Sequence, residues 1–180
     1  MQDLIIILGK LAIALFLIRF HANLYTNRYR LGFNPLAQQL NRYTDPLVLP
    51  FRKLLPPSRY DLGALAVAGI VAAAISLIFT AATHASFGVF IALCLVLIIT
   101  TWLNTIFYAI LITVIGSWLQ TDPRQPVMQI ALSCCEWLMA PLRRIIPPVG
   151  MLDFSPMAAL FLIYLAQQGL ARILFGSIAG

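Results

Sequence analysis

An all-α membrane protein, with four transmembrane helices arranged as two direct repeats, is the fold class that three features of this 180-residue sequence predict. The first is composition. Hydrophobic residues make up 61% of the chain and charged residues only 10%, with a mean hydropathy of +0.91, whereas soluble domains carry about 25% charged residues. The second is the placement of charge. Arg19, Arg28, Arg30, Arg42, Arg52, Lys53 and Arg59 fall in a first connection and Arg124, Arg143 and Arg144 in a second, while Leu62 to Leu119 holds no acid, lysine or arginine. Basic residues confined to two short connections mark the cytoplasmic side of a membrane, so the net charge of +6 speaks for orientation and against a nucleic-acid partner. The third is duplication. Pro50, Arg52, Lys53 and Pro56 recur as Pro141, Arg143, Arg144 and Pro147, each 91 positions on, and Pro35 with Pro126 and Thr44-Asp45 with Cys135-Glu136 keep that offset. Asp61 and Asp153, which close the two copies, stand 92 apart.

Each repeat reads as span, interfacial amphipathic helix, proline-rich basic turn, span, with the repeats at about 1–82 and 83–180. The first span covers about 4–20. Asp3 replaces the positive start of a signal peptide and no small-residue cleavage site follows, so the segment is expected to stay in the membrane. Lys10 interrupts it. A lysine there either snorkels to the nearer interface or faces the bundle interior; the lack of a matching acid in the other apolar segments favours a structural, bundle-facing role.

From Asn34 the pattern changes. Leu36, Leu40, Tyr43 and Leu47 are spaced for one face of a helix over about 35–47, with Asn34 suited to its cap and Pro35 to its first turn. A basic amphipathic helix between two spans is expected to lie in the interface plane. Its counterpart covers about 126–139, with Val127, Ile130, Ala131, Cys134 and Leu138 as the apolar face. Pro50, Pro56 and Pro57 are expected to end the first of these helices, and Pro141, Pro147 and Pro148 mark the same turn in the second copy. Asp61 and Asp153 each precede an apolar run and suit the N–H-rich, positive end of the next helix; Ser155-Pro156 offers a second cap and first residue.

A span takes roughly 20 residues, and two basic connections on one side require an even number of crossings between them. That places spans at about 62–82 and within 87–119, the latter long and tilted or with a re-entrant first part. The polar patch Thr100, Thr101, Trp102, Asn104 and Thr105 lies inside it and is expected to meet other helices through hydrogen bonds. The fourth span covers about 154–175, with Gln167, Gln168 and Arg172 leading out. Four spans put both termini outside. Two halves inserted in the same sense are related by an axis along the membrane normal, unlike the inverted repeats of many transporters.

Asn34-Pro35-Leu36, Thr44-Asp45-Pro46 and Pro50-Phe51-Arg52-Lys53-Leu54-Leu55-Pro56-Pro57, with Pro141-Leu142-Arg143-Arg144-Ile145-Ile146-Pro147-Pro148 and Asp153-Phe154-Ser155-Pro156 in the second copy, resemble the YggT family of bacterial membrane proteins. The resemblance covers nearly the whole chain as two tandem repeats. Asp61-Leu62-Gly63-Ala64 departs from the usual Asp-x-Ser-Pro close, and Gln125 and Trp137 replace the Asn and Pro of the first copy. The resemblance implies an integral inner-membrane protein without established catalysis. Relatives are associated with osmotic and potassium tolerance, with envelope or division functions and, in plastids, with haem attachment to a cytochrome.

An enzyme is not expected. His21 and His84 are the only histidines, no His/Cys/acid group has metal spacing, and no nucleophile elbow, phosphate-binding loop or dinucleotide fingerprint is present. Cys94, Cys134 and Cys135 include no C-x-x-C pair and read as free, small apolar residues. No cofactor or metal is expected. Two functions remain. A scaffold or assembly factor would use Arg52, Lys53, Arg143 and Arg144 as a rigid cytoplasmic docking surface for anionic inner-leaflet lipids and a membrane-protein partner or a second copy. An ion channel for potassium, built as an oligomer, would use Lys10, Thr100, Thr101 and Asn104.

Overall fold

The computed structural model describes residues 2–29, 31–56, 58, 60–146 and 153–176. Among these residues the chain is helical and contains no strand. Helix α1 (Gln2–Leu24) leads through a short α2 (Thr26–Tyr29) and a 3₁₀ turn (Leu31–Phe33) into α3 (Pro35–Leu54). Then follow α4 (Leu62–Thr83), α5 (Phe87–Trp118), α6 (Pro126–Ile145) and α7 (Ser155–Gly176). Three of the described helices, α1, α4 and α5, are long and apolar enough to cross a membrane. Helix α5 runs unbroken for 32 residues, about 48 Å at 1.5 Å per residue, against a hydrocarbon layer of about 30 Å. The chain forms two compact units, Met1–Trp102 and Leu103–Gly180, whose boundary falls inside α5.

In the first unit α1 and α4 pack face to face. Helix α4 carries Ala64, Ala68, Ala72 and Ser76 at four-residue intervals, all buried, a stripe of small side chains that lets helix backbones approach closely. Helix α1 answers with Gly9, where a Cβ would stand 2.0 Å from Ile75 Cδ1. Ile13, Phe16 and Leu17 of α1, Val48 of α3 and Ala64, Val67, Ala68 and Ala72 of α4 make one apolar core, with Leu97 and Ile98 of α5 against it. Helix α4 ends on His84 in the left-handed conformation at φ 50°, and the Ala85 N–H returns to the Thr80 carbonyl at 3.0 Å, closing the last turn. In the second unit the buried apolar residues are Ile106, Ala109 and Ile110 of α5, Met128, Ala131, Cys134, Cys135 and Met139 of α6, and Ala159 and Ile163 of α7.

Two expectations from the proline pattern are corrected. Helix α3 does not stop near Leu47 at Pro50 but continues to Leu54 with Pro46 and Pro50 inside it, and α6 continues past about residue 139 to Ile145 with Pro141 inside it. A proline removes the helical bond to the carbonyl four residues earlier. Pro46, Pro50 and Pro141 all lie on exposed faces, so carbonyls freed by them open outward rather than into the core, and the helices survive. What ends both helices is the next proline along. Leu55, before Pro56, has φ −90° and ψ 152°, and Ile146, before Pro147, has φ −108° and ψ 97°, the extended backbone that a following proline imposes. Pro57, Pro147 and Pro148 themselves lie outside the described residues.

The packing also shows which face of α3 meets protein. Ala37, Thr44 and Val48 are buried, while Tyr43 is 77% and Leu47 57% exposed. The apolar stripe read from Leu36, Leu40, Tyr43 and Leu47 is therefore not the packing face. Small and hydroxyl side chains face α1 and α4, and the large apolar ones are left for another apolar surface.

Candidate functional site

Where the C-terminal end of α1, the middle of α3 and the start of α4 meet, the first unit buries a charged network. Its centre is Arg19, 1% exposed. The Nε atom donates to Asp61 Oδ2 at 3.0 Å, Nη2 to Asp45 Oδ1 at 2.8 Å, and Nη1 to the Asn41 carbonyl at 3.1 Å and to Thr44 Oγ1. Asn23, one turn further along α1, donates to the same Asp61 Oδ2 at 2.6 Å and exchanges hydrogen bonds with the Asn41 side chain. Asp61, buried, also accepts from the Ala64 N–H at 3.3 Å, so it caps α4 as its sequence position predicts. The planar guanidinium offers five donors in a fixed fork; here that fork reaches two acids, a hydroxyl and a carbonyl on two elements. One buried arginine thereby ties α1 to α3 and to α4. The sequence reading counts Arg19 only among the basic residues of the first connection. The signal that identifies it is Arg19 and Asn23, one turn apart on a single helix face, followed by one acid in the middle of the next connection, Asp45, and one at its end, Asp61.

Asn34 caps α3 from a buried position, accepting from the Leu36 and Ala37 N–H groups at 2.9 and 3.2 Å, and Pro35 opens the helix. These two fix where α3 starts, and the Arg19 network fixes how it lies. Gly63 completes the contact. A Cβ on it would meet Val48 Cγ1 at 2.9 Å, the Val48 carbonyl oxygen at 3.0 Å and Arg52 Cγ at 2.8 Å, so α3 rests directly on the backbone of α4.

The second unit solves the same problem with a different arginine. Glu136, buried and matched by offset to Asp45, lies 3.9 Å from Arg143 Nη1, and Arg143 Nε donates to Asp153 Oδ2 at 3.1 Å. Asp153 also accepts from the Ser155 N–H at 2.9 Å, at the start of α7; buried Ser155 is the first residue of that helix and Pro156 the second. Partial burial alone would raise the Asp153 pKa, but the bonds from Ser155 and the Arg143 guanidinium outweigh it and hold the carboxyl below its ordinary value. The sequence treats Arg52, Lys53, Arg143 and Arg144 as four equivalent docking residues, and their surroundings differ. Arg143 is engaged with two acids. Arg52 and Lys53 are exposed in the last turn of α3, and Arg144 is exposed in the last turn of α6. None of these three has a hydrogen bond or ion pair among the described residues.

The polar patch of α5 resolves into separate contacts. Trp102 Nε1 donates to His21 Nε2 of α1 at 2.9 Å within the first unit, and Gln167 Nε2 of α7 donates to Asn104 Oδ1 at 2.9 Å within the second. Gln167 thus pairs with the middle of α5. Thr100 Oγ1 donates to the Val96 carbonyl of its own helix at 2.6 Å, and Thr101 is buried. Lys10 is half-buried on α1, with no hydrogen bond or ion pair among the described residues.

Cys134 and Cys135 are buried side by side on α6. Burial pushes the Cys134 thiol up to about 12, against a lowering hydrogen bond with Ser133, and pushes Cys135 up to about 11, helped by the adjacent Glu136 carboxylate. Thiols held so far above neutral pH are poor nucleophiles and poor metal ligands. No group of three or more His, Cys, Asp or Glu side chains stands close enough to hold a metal ion among the described residues.

Fold and site together define a helical membrane protein in which a basic amphipathic helix is pinned to membrane-spanning-length helices by buried ion pairs. The chain belongs to the CCB3/YggT family, whose model matches residues 1–82 and again 92–174. It is 31% identical to the YggT protein of Escherichia coli K12 over 143 residues, 79% of this chain and 75% of that one. It is 30% identical to a Pseudomonas aeruginosa protein over 166 residues, 89% and 83% of the two chains, and 29% identical to a Haemophilus influenzae protein over 149 residues, 80% and 78%. No solved structure matches the chain.

Proposed function

We propose that this protein is a non-catalytic scaffold of the bacterial inner membrane, an assembly or homeostasis factor that presents basic helix ends to the cytoplasm for a membrane-protein partner. One observation carries the reading. Helix α3 is locked by the Arg19 network, yet its last turn leaves Arg52 and Lys53 exposed, and its large apolar side chains Tyr43, Leu47 and Leu54 stay uncovered. Such a helix rests at the boundary between headgroups and acyl chains, where each basic residue near an anionic leaflet adds about 1 kcal/mol of attraction. Charge alone would orient the protein; a buried guanidinium with four hydrogen bonds does more than orientation needs, because it fixes the direction in which the basic turn points. In the topology that goes with this reading, α7 is a fourth span, the two matched segments are direct repeats, both basic turns are cytoplasmic and both termini lie outside.

The test is affinity capture from membranes of cells carrying the wild type or the triple variant Arg52→Gln, Lys53→Gln, Arg144→Gln. These residues are exposed and unpaired among the described residues, so the variant is expected to fold while losing its specific co-purifying membrane proteins. An unchanged set of partners would remove the docking role. Protein-dependent potassium flux in liposomes, abolished by Lys10→Ala or Asn104→Ala, would replace the scaffold with a transport function.

A further inference from the structure

On the open side of the Arg19 network lies a polar cleft of about 350 Å³. Its lining includes Asn23, Asn41, Asp45, Arg52, Ser58 and Tyr60. A smaller cleft of about 210 Å³ shares Arg52, Ser58 and Tyr60 and is otherwise lined by Leu55, Pro56, Leu62 and Gly63. The shared wall offers a guanidinium and hydroxyls, the groups that hold a phosphate. Beyond it on one side stands the Asp45 carboxylate, 39% exposed, with Oδ1 bonded to Arg19 and no bond to Oδ2 among the described residues. Beyond it on the other side the side chains that the smaller cleft adds are those of Leu55, Pro56 and Leu62, with Gly63.

Phosphate in the middle, a cation to one side and hydrocarbon to the other is the order of groups along a zwitterionic phospholipid. We propose that the two clefts form one binding site for a phospholipid with a primary-amine headgroup, its phosphate on Arg52 and Ser58, its ammonium at Asp45 and its glycerol ester end along Leu55 and Leu62. A primary ammonium donates three hydrogen bonds into a wall of carboxylate and amide oxygens; a choline headgroup has no N–H to donate, and a glycerol headgroup has no charge for Asp45. A serine headgroup would set a second carboxylate against Asp45 and Asp61. The second unit is expected to lack such a site, because Arg143, which holds the place of Arg52, is bonded to Asp153 and lies beside Glu136.

The inference rests on the headgroup-level placement of α3 and not on a protein partner, so the capture experiment and the following one fail separately. Purified, delipidated protein is titrated in detergent with dioleoyl phosphatidylethanolamine, phosphatidylcholine or phosphatidylglycerol, and bound lipid is read by native mass spectrometry. The ethanolamine lipid is expected to bind at least about tenfold more tightly than the choline lipid, the scale of one lost charge-assisted hydrogen bond. Arg52→Gln is expected to weaken ethanolamine-lipid binding by about the same factor, while Arg144→Gln leaves it unchanged. Equal binding of ethanolamine and choline lipids, or an Arg52→Gln variant that keeps wild-type affinity, would overturn the site. Soluble glycerophosphoethanolamine that competes at concentrations equal to the lipid's would overturn the lipid as its occupant.

Discussion

Arg19→Ala is expected to destabilise the detergent-solubilised protein by about 3–5 kcal/mol, the cost of removing one member of a buried ion pair, read as a fall in the thermal midpoint. The size follows from what the substitution leaves behind. Asp61, with a side chain only 4% exposed, loses its guanidinium partner in a desolvated place; Asp45 loses the same partner. Arg19→Lys is expected to recover only part of the loss. An ammonium is a point donor and cannot reach Asp61, Asp45 and the Asn41 carbonyl with the geometry of the fork. Arg19→Met combined with Asp61→Asn and Asp45→Asn is expected to be more stable than Arg19→Ala, because no acid is then left unpaired. A loss below about 1 kcal/mol for Arg19→Ala, in the range of exposed surface pairs, would show that the network does not hold α3 in place.

Gly63→Leu is expected to cost at least about 1–3 kcal/mol through overpacking, and to do so by lifting α3 off α4. The added Cβ meets the Val48 carbonyl oxygen at 3.0 Å as well as Val48 Cγ1 and Arg52 Cγ, and a backbone oxygen cannot rotate out of the way. Gly9 provides the contrast. The atom nearest a Cβ there is closer, Ile75 Cδ1 at 2.0 Å, but it is the tip of a side chain that has other rotamers. Gly63→Ala is therefore expected to lower the thermal midpoint more than Gly9→Ala, despite the shorter distance at Gly9. The opposite order would mean that α3 and α4 have slack between them and that the basic turn is not rigidly held.

Much of the helical order was legible from local signals. Asn34-Pro35 opens α3 and Asp61 caps α4 because capping depends on residues within one turn, and the charge-free stretch after Leu62 breaks only near His84, as the turn between α4 and α5 does. Three classes of feature were not legible. Proline inside a helix reads as a stop, since sequence alone does not tell whether the freed carbonyl opens outward; for Pro46, Pro50 and Pro141 it does, and for Pro56 the helix ends. Periodicity also fails to separate protein from lipid, because both are apolar. The large side chains Tyr43 and Leu47 mark a real stripe on α3, but the protein-facing stripe is Ala37, Thr44 and Val48. Arg19 was hidden for a third reason: the rule that assigns basic residues to the cytoplasmic side counts charges without asking which are buried, and its partners lie more than 20 residues away in sequence. Gln167 and Asn104, 63 residues apart, are the same case in the second unit.

The reading of the basic turns as one docking surface requires that both face the same side of the membrane. Lys53→Cys and Arg144→Cys, each introduced singly with Cys94, Cys134 and Cys135 replaced by alanine, place a thiol at an exposed position in the last turn of α3 and of α6. A membrane-impermeant maleimide is then applied to intact spheroplasts and to inverted inner-membrane vesicles. Both thiols are expected to react in inverted vesicles and neither in spheroplasts. Labelling of either from the outer face, or of the two from opposite faces, would contradict the shared cytoplasmic surface on which the account depends.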